Sequence, residues 1–247
     1  MGNFTKWLGA GLGWSFGGPI GAVLGYLIAN AIEGFGKKDL QEFQRQAQGH
    51  SDNTHSGDFE VSLLLLSSFV IKADGKIDPR ELDFVRSYFV KMYGKDRANH
   101  AFRLFKGIIK NEAISPRQIC LQIQHQMQHA ARLQLMHYLF ALAKADEIVT
   151  SEELDMLHKI AGYLNINPRD FESIKAMFYS DSQSAYKILE IEKTATDQEV
   201  KAAYRKMVKK HHPDKLRHLG EEHLKGAQDK FLKIQEAYEQ VKKERSL

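Results

Sequence analysis

Apolar residues between Asp58 and about Ser180 recur at spacings of three and four, interrupted at "ADGKIDP", "NEAISP", "KADEIVTS" and "NINP". That spacing predicts amphipathic helices, and the interruptions carry the Asp, Ser, Thr, Asn and Pro residues that start helices and turns. No stretch alternates apolar and polar residues as a half-buried strand would, so the chain is expected to be all α. The turn-like "SDSQS" then sets off a second helical unit, Ser184 to Leu247. Gly36 to Gly57 is polar, aperiodic and rich in Gln, His and Ser, the pattern of a linker. The expected regions are 1–35, 36–57, 58–180 and 184–247.

The first region has no charge from Leu8 to Ile32, and Gly9, Gly13, Gly17, Gly21 and Gly25 recur every fourth residue. On a helix they form one ridge nearly free of side chains. In water such a helix is poor, because each interior glycine costs about 0.8 to 1 kcal/mol and Pro19 about 3. In a bilayer an unpaired backbone group costs more than the glycine entropy. Leu8 to Ile32 would reach roughly 37 Å as a helix, enough to cross a core of about 30 Å with tilt. Trp7, Trp14 and Tyr26 would anchor it at the interfaces, and the ridge suits close packing of helix on helix. The expectation is a transmembrane helix that self-associates, making a homodimer. Lys37, Lys38 and Arg45 outnumber Lys6, which favours a cytoplasmic C-terminal side. Ala29-Asn30-Ala31 also fits a signal-peptide cleavage pattern, and a peripheral glycine-rich tail is the third alternative.

The middle region repeats itself. "KADGKIDPREL" (Lys72 to Leu82) aligns without gaps on "KADEIVTSEEL" (Lys144 to Leu154). Asp78 with Glu81, and Thr150 with Glu153, have the spacing of a capping box, and Pro79 falls at the first helical position. Capping does not explain Asp74 and Asp146, which fall near the C-terminal end of a preceding helix, where the dipole disfavours an anion. If the copies pack pseudo-symmetrically, Asp74, Glu81, Asp146 and Glu153 would converge into an oxygen-rich cluster fit for a divalent cation. Loop hydrogen bonding and solvated acids are the alternatives. An EF-hand is excluded, because Pro79 stands where the turn glycine belongs and Val85 where the bidentate glutamate belongs.

"FVIKADGKIDPREL" and "LAKADEIVTSEEL" in a helical setting resemble the tellurite-resistance TerB-type domain. That resemblance implies a helical bundle with acidic positions proposed to bind a cation.

The C-terminal unit carries the sharpest signal. In "TATDQEVKAAYRKMVKKHHPDK", Thr196 and Glu199 form a capping box, and Val200, Ala203, Tyr204, Met207 and Val208 make one buried face. Lys201, Arg205, Lys206, Lys209 and Lys210 make a basic outside. Pro213 stops the helix near His212. A second helix follows, with Leu224, Ala227, Phe231, Ile234, Tyr238 and Val241 as the seam of an antiparallel pair. His212, Pro213 and Asp214 are thus expected in the open at the tip of a hairpin.

With "SAYKILEI" before it and "KFLKIQEAYEQVKK" after it, this stretch resembles a J-domain. The resemblance implies that the unit binds a DnaK-type chaperone ATPase and accelerates its ATP hydrolysis. It also implies that His212, Pro213 and Asp214 form the essential loop, with Lys201, Arg205, Lys206, Lys209 and Lys210 on the docking face. Glu190 stands where that family commonly has glycine, and His211 where it has tyrosine. The order of Gly-rich span, TerB-like helices and J-domain is similar to the DjlA-type membrane-anchored co-chaperones of bacteria. That similarity implies a single-pass inner-membrane protein with its C-terminal domains in the cytoplasm. A cation-binding TerB-type stress protein with an accessory J-domain is the alternative function.

Charge and composition add little that competes. The net charge is +4, and Ser184 to Leu247 hold all of that excess. No exposed base-stacking aromatic is expected among the lysines, so nucleic acid is not an expected partner. His211, His212, His218 and His223 lack a second close ligand pair for a metal. The single Cys120 excludes an intrachain disulfide and fits a reducing compartment. No nucleophile, base and orienting partner fall at a recognisable spacing, so no enzyme activity and no required cofactor are expected.

Overall fold

The computed structural model describes residues 54–110, 115–179, 183–219 and 221–246. The expected membrane helix, with Gly9, Gly13, Gly17, Gly21 and Gly25, lies outside the described residues. Among the described residues every regular element is helical.

The TerB-like bundle consists of α1 (Thr54–Ile71), α2 (Pro79–Tyr93), α3 (Lys95–Ile109), α4 (Pro116–Gln126), α5 (His129–Ala143), α6 (Ser151–Tyr163) and α7 (Pro168–Ala176). Helices α1 and α5 are apolar on all sides and run through its centre. Leu63, Leu64, Leu65 and Leu66 are all buried, as are Leu133, Leu135 and Met136. A helix without a polar face must be covered all round, and α2, α3, α6 and α7 supply the cover. Burying each such side chain contributes about 1.5 to 3 kcal/mol. The two central helices also share one polar pair, Ser67 Oγ at 3.0 Å from Tyr138 Oη. Helix α1 begins at Thr54, earlier than the sequence pattern predicts, because "THSG" carries no apolar period from which a helix could be read.

The capping boxes form as expected. Glu81 Oε2 accepts from the Asp78 amide at 3.4 Å, and Glu153 Oε2 accepts from the Thr150 amide at 2.8 Å. Pro79 is the first residue of α2.

The J-like unit comprises α8 (Ser184–Ile188), α9 (Asp197–Lys210), a 3-10 helix (Pro213–Leu219) and α10 (Glu221–Arg245). Val200 and Met207 of α9 pack on Ile234, Ala237 and Val241 of α10, and Tyr204 stacks on Tyr238 with centroids 4.0 Å apart. Arg245 closes the unit, donating to Tyr186 Oη at 3.2 Å and to Asp197 at 3.4 Å.

The expected seam along α10 holds only for its second half. Leu216 and Leu219 of the 3-10 helix and Ala227 of α10 join the core of the TerB-like bundle, with Leu224 packed against it. The 3-10 helix touches α1 and α5, and the first half of α10 touches α2 and α5. Gly226 makes this approach possible: a Cβ there would lie 3.1 Å from both Gln134 Nε2 and Tyr88 Oη. The core of the TerB-like bundle therefore takes in residues of both units, while α9 and the second half of α10 build a second core.

Candidate partner-docking site

Helix α9 stops because Pro213 disfavours helical geometry just before it. The last helical hydrogen bond runs from the His211 amide to the Met207 carbonyl at 2.9 Å. The chain then presents His212 and Asp214, whose side chains are 48% and 54% exposed. The Asp214 amide donates to His212 Nδ1 at 3.3 Å, which folds the loop tightly. The His212 ring stands edge-on to Phe231 at 6.1 Å between centroids. Arg217 lies 2.9 Å from the Asp214 carboxylate. An exposed pair of this kind contributes little and exchanges readily for another arginine. His212 and Asp214 are thus accessible as expected. Pro213 is half-buried, because the 3-10 helix it opens turns back onto the bundle.

The five basic residues divide. Lys201, Arg205 and Lys209 are exposed on α9. Lys206 is exposed but lies 3.2 Å from Glu190 Oε2. Lys210 is only 18% exposed, and its Nζ donates to both Asp170 and Glu190. Asp170 also accepts from His129 Nε2 at 2.8 Å. Burial alone would push the Asp170 carboxyl up, but the hydrogen bonds from His129 and Lys210 outweigh it and hold it well below the usual carboxylate range.

Behind the loop sits a group of enclosed bases. His211 and Lys230 are buried. Burial, and then the charges of Lys230 and Lys210, hold the His211 imidazole well below its ordinary value, and its Nδ1 has no hydrogen-bond partner. Burial, then the charge of Lys210, brings Lys230 down to about 7. Burial followed by the charges of Lys230 and Lys233 brings His137 of α5 down to about 3.

The acidic repeat behaves differently from its expectation. Asp74, Glu81, Asp146 and Glu153 do not converge as a cation cage, and among the described residues no cluster of three or more His, Cys, Asp or Glu side chains is arranged to hold a metal. Asp74 Oδ1 accepts from the Lys76 amide at 2.8 Å and Asp146 Oδ1 from the Ile148 amide at 3.1 Å, so both close their own turns. Arg80 bridges the copies, lying 3.6 Å from the Asp146 carboxylate. Only Glu81 and Glu153 meet. Burial, then the hydrogen bond and charge of Glu153, push the Glu81 carboxyl up to about 8.

Three family profiles match successive parts of the chain: "Co-chaperone DjlA transmembrane domain" at residues 1–34, "Tellurite resistance protein TerB" at 60–176 and "DnaJ domain" at 184–246. The three matches follow one another in order along a chain that is similar throughout to the DjlA co-chaperones. It is similar to the co-chaperone protein DjlA of Coxiella burnetii, 28% identical over 270 residues that cover 98% of each chain. It is also similar to the DjlA of Photobacterium profundum, 27% identical over 97% of this chain and 98% of that one. With the DjlA of Vibrio cholerae a shorter stretch of 65 residues, 26% of this chain and 23% of that one, is 45% identical. No solved structure gives a significant match. Among the described residues no helix is long and apolar enough to cross a membrane, and the stretch matching the DjlA transmembrane domain lies outside them.

Sequence reasoning missed His129, Asp170 and Lys230, and named His211 without foreseeing its burial. One signal was present for Lys230: it stands three residues after Ala227 and four before Ile234, on the buried stripe of α10.

Proposed function

We propose that this chain is a membrane-anchored co-chaperone whose J-domain docks on a DnaK-type ATPase and stimulates its ATP hydrolysis. The observation that carries this reading is the exposed His212-Pro213-Asp214 loop at the end of the basic helix α9. Lys201, Arg205 and Lys209, exposed on α9, offer cations to an acidic surface and speed encounter through long-range attraction. Asp214, held by the surface residue Arg217 and lying 3.6 Å from His212 Nδ1, is ready to accept an arginine from a partner. The unit itself carries out no bond chemistry; it biases its partner toward the hydrolysing conformation.

The match of residues 1–34 to a transmembrane domain supports a tether in the inner membrane. The basic residues Lys37, Lys38 and Arg45 favour a cytoplasmic body, on the side where ATP is. The glycine ridge at Gly9, Gly13, Gly17, Gly21 and Gly25 supports a homodimer formed within the bilayer.

His212→Gln tests the central claim. The variant is expected to keep its helical circular dichroism and lose stimulation of a DnaK-type ATPase; retained stimulation would overturn the reading. Membranes washed with alkaline carbonate should retain the chain, and protease added to spheroplasts should not reach a C-terminal tag.

A further inference from the structure

Two of the five basic side chains on the docking face are already held by carboxylates of the chain itself. Lys210 is bound by Asp170 and Glu190, and Lys206 by Glu190. The two carboxylates are 1% and 4% exposed, so water screens these contacts weakly. Asp170 comes from α7 of the TerB-type domain, so one arm of the clamp crosses between domains. Its position is fixed before Lys210 reaches it: the Asn167 side chain accepts from the Asp170 amide at 2.9 Å, and His129 holds the second carboxylate oxygen. Glu190 comes from the loop after α8 and keeps a left-handed backbone, φ 59°, where glycine would sit without strain. The chain tolerates that strain at the position from which one carboxylate reaches both lysines.

We propose that Asp170 and Glu190 are an internal substitute for the acidic surface of a DnaK-type ATPase, and that docking must displace them from Lys206 and Lys210. The inference rests on the docking role assigned above. A partner carboxylate approaching Lys210 exchanges one ion pair for another, and the carboxylate left behind is buried and loses its counter-charge. That exchange yields little net affinity. Lys201, Arg205 and Lys209 therefore carry the attraction, while the TerB-type domain sets through Asp170 how much of the face is offered.

The test is single-turnover ATP hydrolysis by a DnaK-type ATPase, titrated with the full chain in detergent micelles. Wild type is compared with Asp170→Asn, Glu190→Gln, Glu190→Gly and His212→Gln. Removing either carboxylate is expected to lower the half-maximal concentration severalfold and to steepen its dependence on salt, because more unpaired cation faces the partner. An unchanged or raised half-maximal concentration in the folded variants would overturn the proposal. Glu190→Gly leaves the contact between the domains intact and relieves the backbone, so it decides the matter if Asp170→Asn does not fold. If wild type stimulates, His212→Gln does not, and the carboxylate variants match wild type, the clamp alone falls. If neither wild type nor any variant stimulates, the docking reading falls with it.

Discussion

Gly75 and Glu147 occupy the same left-handed backbone conformation, φ 77° and 72°, at equivalent positions of the two repeat copies. Each ends the turn between a central helix and the next capping box. Glycine adopts that region freely, whereas another L-residue pays roughly 1 kcal/mol or more. Glu147 is exposed, so nothing packed is lost by replacing it. Glu147→Gly should stabilise the chain by about 0.5 to 1 kcal/mol, and Gly75→Ala should destabilise it by a similar amount. Urea unfolding of both variants, read at equal m-values, checks the pair.

The Glu81–Glu153 pair makes stability depend on pH. In the unfolded chain Glu81 titrates in the ordinary range, near 4.5, and in the fold at about 8. Between those values the folded state holds the extra proton, so the contribution of Glu81 is complete at acid pH and is lost as pH rises through about 8. Glu81→Gln keeps an acceptor for the Asp78 amide and a donor toward Glu153 without the charge. It should leave stability nearly unchanged at acid pH and raise it by about 1 kcal/mol above pH 8. Thermal melts across that range would refute the raised titration of Glu81 if the gain were largest at low pH.

The local parts of this structure were legible in the sequence because their signals are local. Asp78 with Glu81, Thr150 with Glu153 and Thr196 with Glu199 declare three helix starts within four residues each. Pro213 declares an end, and the tripeptide at that end stands in the open. Convergence across the chain was not legible. Asp74 and Asp146 looked surplus to capping, yet each is used by an amide two residues on, which a one-dimensional pattern cannot separate from a ligand role. Asp170 sits in the first turn of α7, where an acid is already explained by the helix dipole. Its meeting with His129 and Lys210 spans about forty residues either way. The α10 stripe likewise reads as one seam, although its two halves face different partners.

Gly226 is a point of close approach between the two domains, and a larger side chain there acts as a wedge. A Cβ would already press on Gln134 Nε2 and Tyr88 Oη, and Gly226→Phe needs far more room than those two side chains can yield. Overpacking of this kind costs typically about 1 to 3 kcal/mol. Because Leu216, Leu219 and Ala227 belong to the TerB-type core, the wedge should also separate one cooperative unfolding transition into two. A variant that melts in a single transition at the wild-type temperature would show that the shared core does not couple the domains.

Lys230 offers the opposite manipulation, since it is a buried charge that weakens the fold. Its ammonium faces His211, His137 and Lys210, with Asp170 the nearby acid. Burial brings it down to about 7 from the ordinary lysine value of 10.5. Between those values the unfolded chain holds more protons than the folded one, so stability rises with pH across the window and the penalty is complete below about 7. Lys230→Met keeps the length of the side chain and removes the charge. It should stabilise the chain by about 1 to 2 kcal/mol at and below neutral pH, with the gain shrinking toward pH 10.5. The His211 imidazole, relieved of its largest neighbouring charge, should then titrate closer to its ordinary value, which NMR of the ring protons would show. A loss of stability at pH 7 would mean that Lys230 is held as a cation by the Asp170 side of the interface. The two domains would then be joined by that charge and not in spite of it.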